Sequence, residues 1–223
     1  MNRLDELRAL NPALKIYSVE DPEFLRYGRV IDEDTSEMCE MVLKTAEMPE
    51  KGARYVPALE SIDTMDKGDE YRMKYAGQLD EQWGLCWGFN SSMNALEWHT
   101  CNEFNIGVTD LVLLLAKRGD IADGKLDSSL VKAFYLPKGV MVEVYSDSLH
   151  FTPCMAGEEG FSCVVGLQRG TNTAVEDVPG KDPLLTAKNK WLICHESLEG
   201  MIARGVVPGI YGENWVVNPI PCK

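Results

Sequence analysis

Long apolar runs are missing from this chain. The longest, residues 111–116, has the length of a strand, so no segment reads as a membrane-spanning helix. Basic residues are also few. The 22 Lys and Arg against 35 Asp and Glu leave a net charge of −13, which argues against a nucleic-acid surface and against docking on anionic lipid. The seven cysteines, Cys39, Cys86, Cys101, Cys154, Cys163, Cys194 and Cys222, are odd in number and lack C-x-x-C spacing. A zinc finger or a disulfide framework is therefore not expected, and a reduced, cytoplasmic protein is. The first eight residues, with Arg3, Asp5, Glu6 and Arg8, are too charged for a signal peptide. The glycines of segment 205–214 lack G-x-G-x-x-G or P-loop spacing, so that stretch reads as a turn and not a phosphate site. Repeats and low-complexity tracts are absent. Histidine is scarce, occurring only at 99, 150 and 195.

What is present fits one large domain, or one domain with an N-terminal extension, in 223 residues that are 45% hydrophobic and 26% charged. Residues 1–80 read as a helical and mixed extension packing on residues 81–223. Leu4, Leu7 and Leu10 predict a short amphipathic helix stopping near Asn11 and Pro12, and residues 16–19 a strand. Met38, Met41, Val42 and Thr45 recur at helical spacing over 36–47, a stripe that predicts core packing. From Gly77 onward, short apolar runs alternate with turn signals: 83–89, 95–99, 109–116, 130–136, 140–145, 149–154, 161–167 and 191–194. Eight strand-like segments at this spacing predict a β-sandwich or barrel. A last short helix is expected near 198–205, capped by Ser197, and segment 170–189 reads as a surface loop or lid.

Chemistry concentrates between Leu96 and Asn105. Glu97, His99 and Glu103 all occupy odd positions, so in one extended strand their side chains would leave from a single face. Two carboxylates and an imidazole on one face are what a divalent transition metal requires; the other reading is an inward polar patch on a half-buried strand.

The β region resembles a cupin, a small jelly-roll barrel. Cupins carry a first motif H-x-H-x(3,4)-E followed by glycine, represented here by Glu97-x-His99-x-x-x-Glu103 with Gly107 following. Their second motif, P-x-G-x-x-H, begins here as Pro137-Lys138-Gly139 but places Val142 where the family has histidine. Segments 94–99 and 109–115 resemble the ureidoglycolate lyase-like cupins, and within them an uncharacterised bacterial family of this chain length. Segments 149–154 and 170–173 fit the same pattern, and the likeness covers residues 80–215. The fold implied is mainly β, a cupin-type jelly-roll barrel with an α-helical N-terminal extension. With the second-motif histidine missing, His150 on the next apolar run is the candidate fourth ligand. Its other reading is a core histidine bonded to a backbone carbonyl.

Glu97, His99, Glu103 and His150 are thus the expected ligands of one divalent transition metal, since mixed N/O ligation suits Zn, Mn, Fe or Ni better than Ca or Mg. Glu143 is a candidate proton-moving carboxylate. Asn105, Lys132, Tyr145 and Arg169 are candidates for holding a substrate, Arg169 because a guanidinium grips a carboxylate in two places. Cys101 shares the parity of His99 and reads as either a soft extra ligand or a small core residue. Trp83, Trp87 and Trp98 are expected to pack in the core. Cys194 and His195, adjacent on a strand, point to opposite faces and do not make a nucleophile–base pair. The resemblance implies a metal-dependent lyase or isomerase of a small polar metabolite, a ureidoglycolate-like acid or a sugar. The alternative is a non-catalytic cupin module binding a sugar or small acid. A homodimer is expected, from the likeness and from the exposed edges of open sheets.

Overall fold

The computed structural model describes residues 2–222. Its strands are β1 (Ile16–Ser18), β2 (Gly28–Ile31), β3 (Ala53–Val56), β4 (Glu81–Gly88), β5 (Ala95–Trp98), β6 (Glu103–Gly107), β7 (Leu111–Lys117) and β8 (Leu126–Asp127). They continue as β9 (Lys132–Leu136), β10 (Met141–Val144), β11 (Ser148–Leu149), β12 (Cys154–Met155), β13 (Phe161–Gln168), β14 (Leu185–Ala187), β15 (Lys190–His195) and β16 (Val207–Tyr211). The helices are α1 (Arg3–Leu10), α2 (Ser36–Thr45), α3 (Glu60–Asp63), α4 (Asp66–Tyr75) and α5 (Glu199–Ile202). None of the described helices is long and apolar enough to cross a membrane.

The strand order identifies the architecture. One sheet runs β2-β10-β6-β13-β4-β3; a second runs β1-β9-β7, with β11 and β12 on the far side of β7; a third runs β14-β15-β16-β8, with β5 also paired to β15. A backbone bridge between Glu97 and His150 then joins β5 to the segment that carries β11 and β12. The chain therefore crosses between two facing sheets, with β4, β6, β10 and β13 in one and β5, β7, β9 and β11–β12 in the other. That alternation is the jelly roll the sequence likeness implied.

Burial follows the pleat. Along β7, Leu111, Leu113 and Leu115 point between the sheets, where they meet Phe134, Val142 and Val165. Val112, Leu114 and Ala116 point outward, under Leu7, Leu14 and Ile16. Both faces are covered, which is why this run is continuously apolar and does not alternate. On the outer face of the first sheet, Trp83, Leu85, Phe104 and Ile106 are covered by Met38, Val42, Ile62 and Tyr71. The Trp83 ring is admitted by two glycines: a Cβ would stand 2.7 Å from it at Gly68 and 2.5 Å at Gly166.

Residues 1–80 supply three strands that lengthen the barrel sheets, as β1 joins β9, β2 joins β10 and β3 joins β4. Helix α4 carries little apolar periodicity and gave no sequence signal. The run expected at 149–154 is broken into two short pairings by an irregular segment ending at Pro153. The glycine-rich stretch read as a turn contains β16, which lies parallel to β15. The last helix begins after Leu198 without a side-chain cap, because the Ser197 hydroxyl is engaged by His195 Nδ1 at 2.8 Å. Trp83, Trp87 and Trp98 all pack on the outer faces of the sheets.

Candidate metal centre

Glu97, His99 and Glu103 do not share one strand. A turn at residues 100–102 separates β5 from β6, which lie in opposite sheets. Odd parity still brings the three together, because both strands turn their odd residues inward: Leu96 and Trp98 pack outside one sheet, Phe104 and Ile106 outside the other. His150 arrives by the bridge to Glu97. Glu97 N donates to His150 O at 2.6 Å and His150 N to Glu97 O at 3.0 Å, so these side chains are cross-strand neighbours.

Each histidine has one nitrogen committed to the backbone. His99 Nδ1 lies 2.7 Å from the Asn189 carbonyl and His150 Nδ1 lies 3.0 Å from the Ser148 carbonyl. Nδ1–H donation to these oxygens leaves both Nε2 atoms facing inward, the arrangement of metal-bound histidines. His150 Nε2 lies 3.1 Å from Glu103 Oε2. His99 Nε2 is buried without a hydrogen-bond partner, 3.5 Å from Glu103 Oε2 and 3.8 Å from Glu97 Oε1. Ligand atoms of Glu97, His99 and His150 all fall within 4.8 Å of one another, a group able to hold a metal ion. Asn105 Nδ2 steadies the other oxygen of Glu103 at 2.8 Å. Burial alone would favour neutral forms of Glu103 and His150. Against that burial, the His150 imidazolium and its hydrogen bond, with the His99 ring close by, hold the Glu103 carboxyl well below its ordinary range, and the carboxylates hold His150 up at about 9.

The group opens onto a cavity of about 180 Å³. Cys86, Leu113 and Val165 form an apolar wall, and Phe151, Thr152 and Pro153 line another side. Burial pushes the Cys86 thiol up to about 12, so it is an inert wall group. Polar groups come from Asn105, Asn172, Tyr55 and Lys190. The Lys190 ammonium contacts Glu97 Oε2, and Asn172 Nδ2 donates to Tyr55 Oη at 3.1 Å. Burial, followed by the Glu103 charge, raises the Tyr55 phenol, which stays a neutral hydroxyl.

Of the substrate-holding candidates, Asn105 alone lines this cavity. Lys132 holds its ammonium 6.0 Å from the centre of the Tyr17 ring. Arg169 is spent on Asp63 at 2.9 Å and Asp80 at 3.1 Å. Tyr145 lies just beyond β10, its backbone N–H bonded to Tyr27 O, and does not line the cavity. Glu143 pairs with Phe104 across β10 and β6, so it leaves from the outer face, where Arg29 Nε reaches it at 2.5 Å and Asn102 Nδ2 at 2.6 Å. Val142, at the second-motif histidine position, is the inward neighbour, paired with Asn105. The Cys101 sulfur accepts from Asn189 Nδ2 at 3.4 Å. His195 is committed to Ser197 and Gly212. Lys190, Tyr55 and Asn189 were missed: each reaches the site from a distant segment, and no local spacing marks it.

A sequence model of the family described as "Domain of unknown function (DUF4867)" matches residues 16–215. No curated protein matches. Similar solved structures include an oxalate decarboxylase studied for proton-coupled electron transfer, at 13% identity and a TM-score of 0.35 over 57% of this chain. The Bacillus subtilis oxalate decarboxylase at pH 4.6 matches at 12% identity and a TM-score of 0.34, and the same enzyme studied for its Mn(II) centres at 11% and 0.32, each over 57% of this chain. The chain spans 28% of the length of each of these structures.

Proposed function

This chain belongs to the family described as Domain of unknown function (DUF4867), and from the cavity in its jelly roll we propose a metal-dependent cupin enzyme, a lyase or isomerase of a small polar metabolite. One observation carries the reading. Two buried histidines give their Nδ1 atoms to backbone carbonyls and turn both Nε2 atoms toward Glu97 and Glu103. Burying that many ionisable groups at one point is costly unless they are used together. Glu97, His99 and His150 would hold the ion, with Glu103 as the fourth group. A divalent transition metal bound there supplies Lewis-acid polarisation of a substrate carbonyl or hydroxyl.

The remaining roles belong to the chain's own side chains. Glu103, oriented by Asn105 and kept as a carboxylate beside both imidazoles, would complete the ligand set. Lys190 is the cation of the cavity lining and favours an anionic group on the substrate. A cavity near 180 Å³ suits a compact molecule, since an engineered cavity of about 150 Å³ takes benzene. Together these favour a small carboxylic acid, such as a ureidoglycolate-like hemiaminal, over a sugar.

The test is metal content and turnover of the purified protein beside His99→Ala. Stoichiometric transition metal, lost from the variant together with turnover of a small acid, supports the enzyme. Metal-free protein that shows only ligand-induced stabilisation would replace it with the non-catalytic binding module.

A further inference from the structure

The carbonyl that orients His99 belongs to Asn189, at the end of the 170–189 loop, and its backbone is left-handed, with φ 56°. Asparagine tolerates that conformation better than most residues. Its side chain holds two further segments. Asn189 Oδ1 accepts from Thr100 N at 2.9 Å and from Thr100 Oγ1 at 2.6 Å, tying it to the turn just after His99. Asn189 Nδ2 donates to Thr171 Oγ1 at 3.0 Å, tying it to the start of the loop.

The two ends of the loop are laced together beside this residue. Asn172 N donates to Lys188 O and Lys188 N to Thr173 O, both at 3.0 Å. Beyond this stem the loop is mostly exposed through residues 174–183. One residue thus fixes the imidazole orientation of a proposed ligand and clasps the base of a long surface loop whose two ends flank the cavity. Asn172 and Lys190, on either side of it, both line the cavity.

We propose that Asn189 is a positioning residue that couples metal binding at His99 to closure of the 170–189 loop. This rests on the metal reading above. Linkage is reciprocal: if a clasped loop presents His99 correctly, an ion on His99 must also hold the loop closed.

The test uses the full-length chain and Asn189→Gly, which keeps the left-handed backbone and removes the four bonds of the amide to Thr100, Thr171 and Cys101. Thr171→Val serves as a second variant that breaks only the loop tie. Three readings are taken: the His99 tautomer by nitrogen NMR without metal, Zn²⁺ affinity by competition with a chelator, and amide exchange at Asn172 and Lys188 with and without Zn²⁺. In the wild type His99 carries its proton on Nδ1, and Zn²⁺ slows exchange at both amides. Asn189→Gly mixes the tautomers, weakens Zn²⁺ at least tenfold, as loss of a ligand's supporting contacts does, and abolishes the slowing. Thr171→Val keeps the tautomer but loses most of the slowing. Wild-type tautomer and affinity in Asn189→Gly would overturn the proposal and leave the metal reading standing. A wild type that takes up no Zn²⁺ would overturn the metal reading and the coupling with it, even if the tautomer result held.

Discussion

At the scale of single residues, charge placement decides what the site does. Lys190 is the cavity's cation, and His99 and His150 carry the proposed ligand nitrogens, so their removal should fail differently. Lys190→Met is expected to keep its metal and to lose thermal stabilisation by small carboxylates, read from a thermal-shift panel; His150→Ala is expected to lose the metal. A second prediction concerns Glu81, whose Oε2 is buried without a partner and whose pKa burial lifts to about 7, with the Asp80 charge adding to the rise. The folded chain then holds a proton there that the unfolded chain releases from about pH 4.5, so stability falls as pH rises from 4.5 to 7. Glu81→Gln removes that fall. Urea unfolding should find it more stable than wild type by about 1 kcal/mol at pH 8 and equal to it at pH 4, a figure reduced for partial solvation.

At the scale of elements, the pleat explains both what the sequence revealed and what it concealed. Odd parity placed Glu97, His99 and Glu103 on one side correctly, yet for a different reason than a single strand: two strands in facing sheets both turn their odd residues inward. The break at residues 100–102 carries Thr100 and Asn102 but no glycine or proline, so no turn signal marked it. Glu143 lies one residue past the vacant second-motif position, and period-2 alternation turns it to the outer face. Lys190, Tyr55 and Asn189 were invisible because strand pairing across the fold, not local spacing, brings them in. The apolar runs were legible since each buries both faces. Phe134 on β9 is buried, its ring centre 5.2 Å from those of both Phe24 and Tyr27 in edge-on and tilted contacts, joining the N-terminal third to the barrel interior. Phe134→Ala should cost about 3–5 kcal/mol in denaturant unfolding; a loss under 1 kcal/mol would mean this contact does not tie the two parts together.

At the scale of the molecule, the N-terminal residues complete the barrel. Strands β1, β2 and β3 extend its sheets, and α2, α3 and α4 roof the face that carries Trp83, Leu85, Phe104 and Ile106. A chain starting at residue 81 would expose that face, and is expected to be recovered as aggregate and not as a folded barrel. The net charge of −13 is carried over the whole sequence, while the cavity lining gathers Lys190 and His150 beside its two carboxylates, Glu97 and Glu103. Anomalous scattering from crystals grown with a transition metal tests the central claim most directly. The account predicts one peak roughly 2.0–2.2 Å from both His99 Nε2 and His150 Nε2, with Glu97 beside it. A protein that takes its metal elsewhere, leaving His150 paired to Glu103 and His99 Nε2 without a partner, would contradict it.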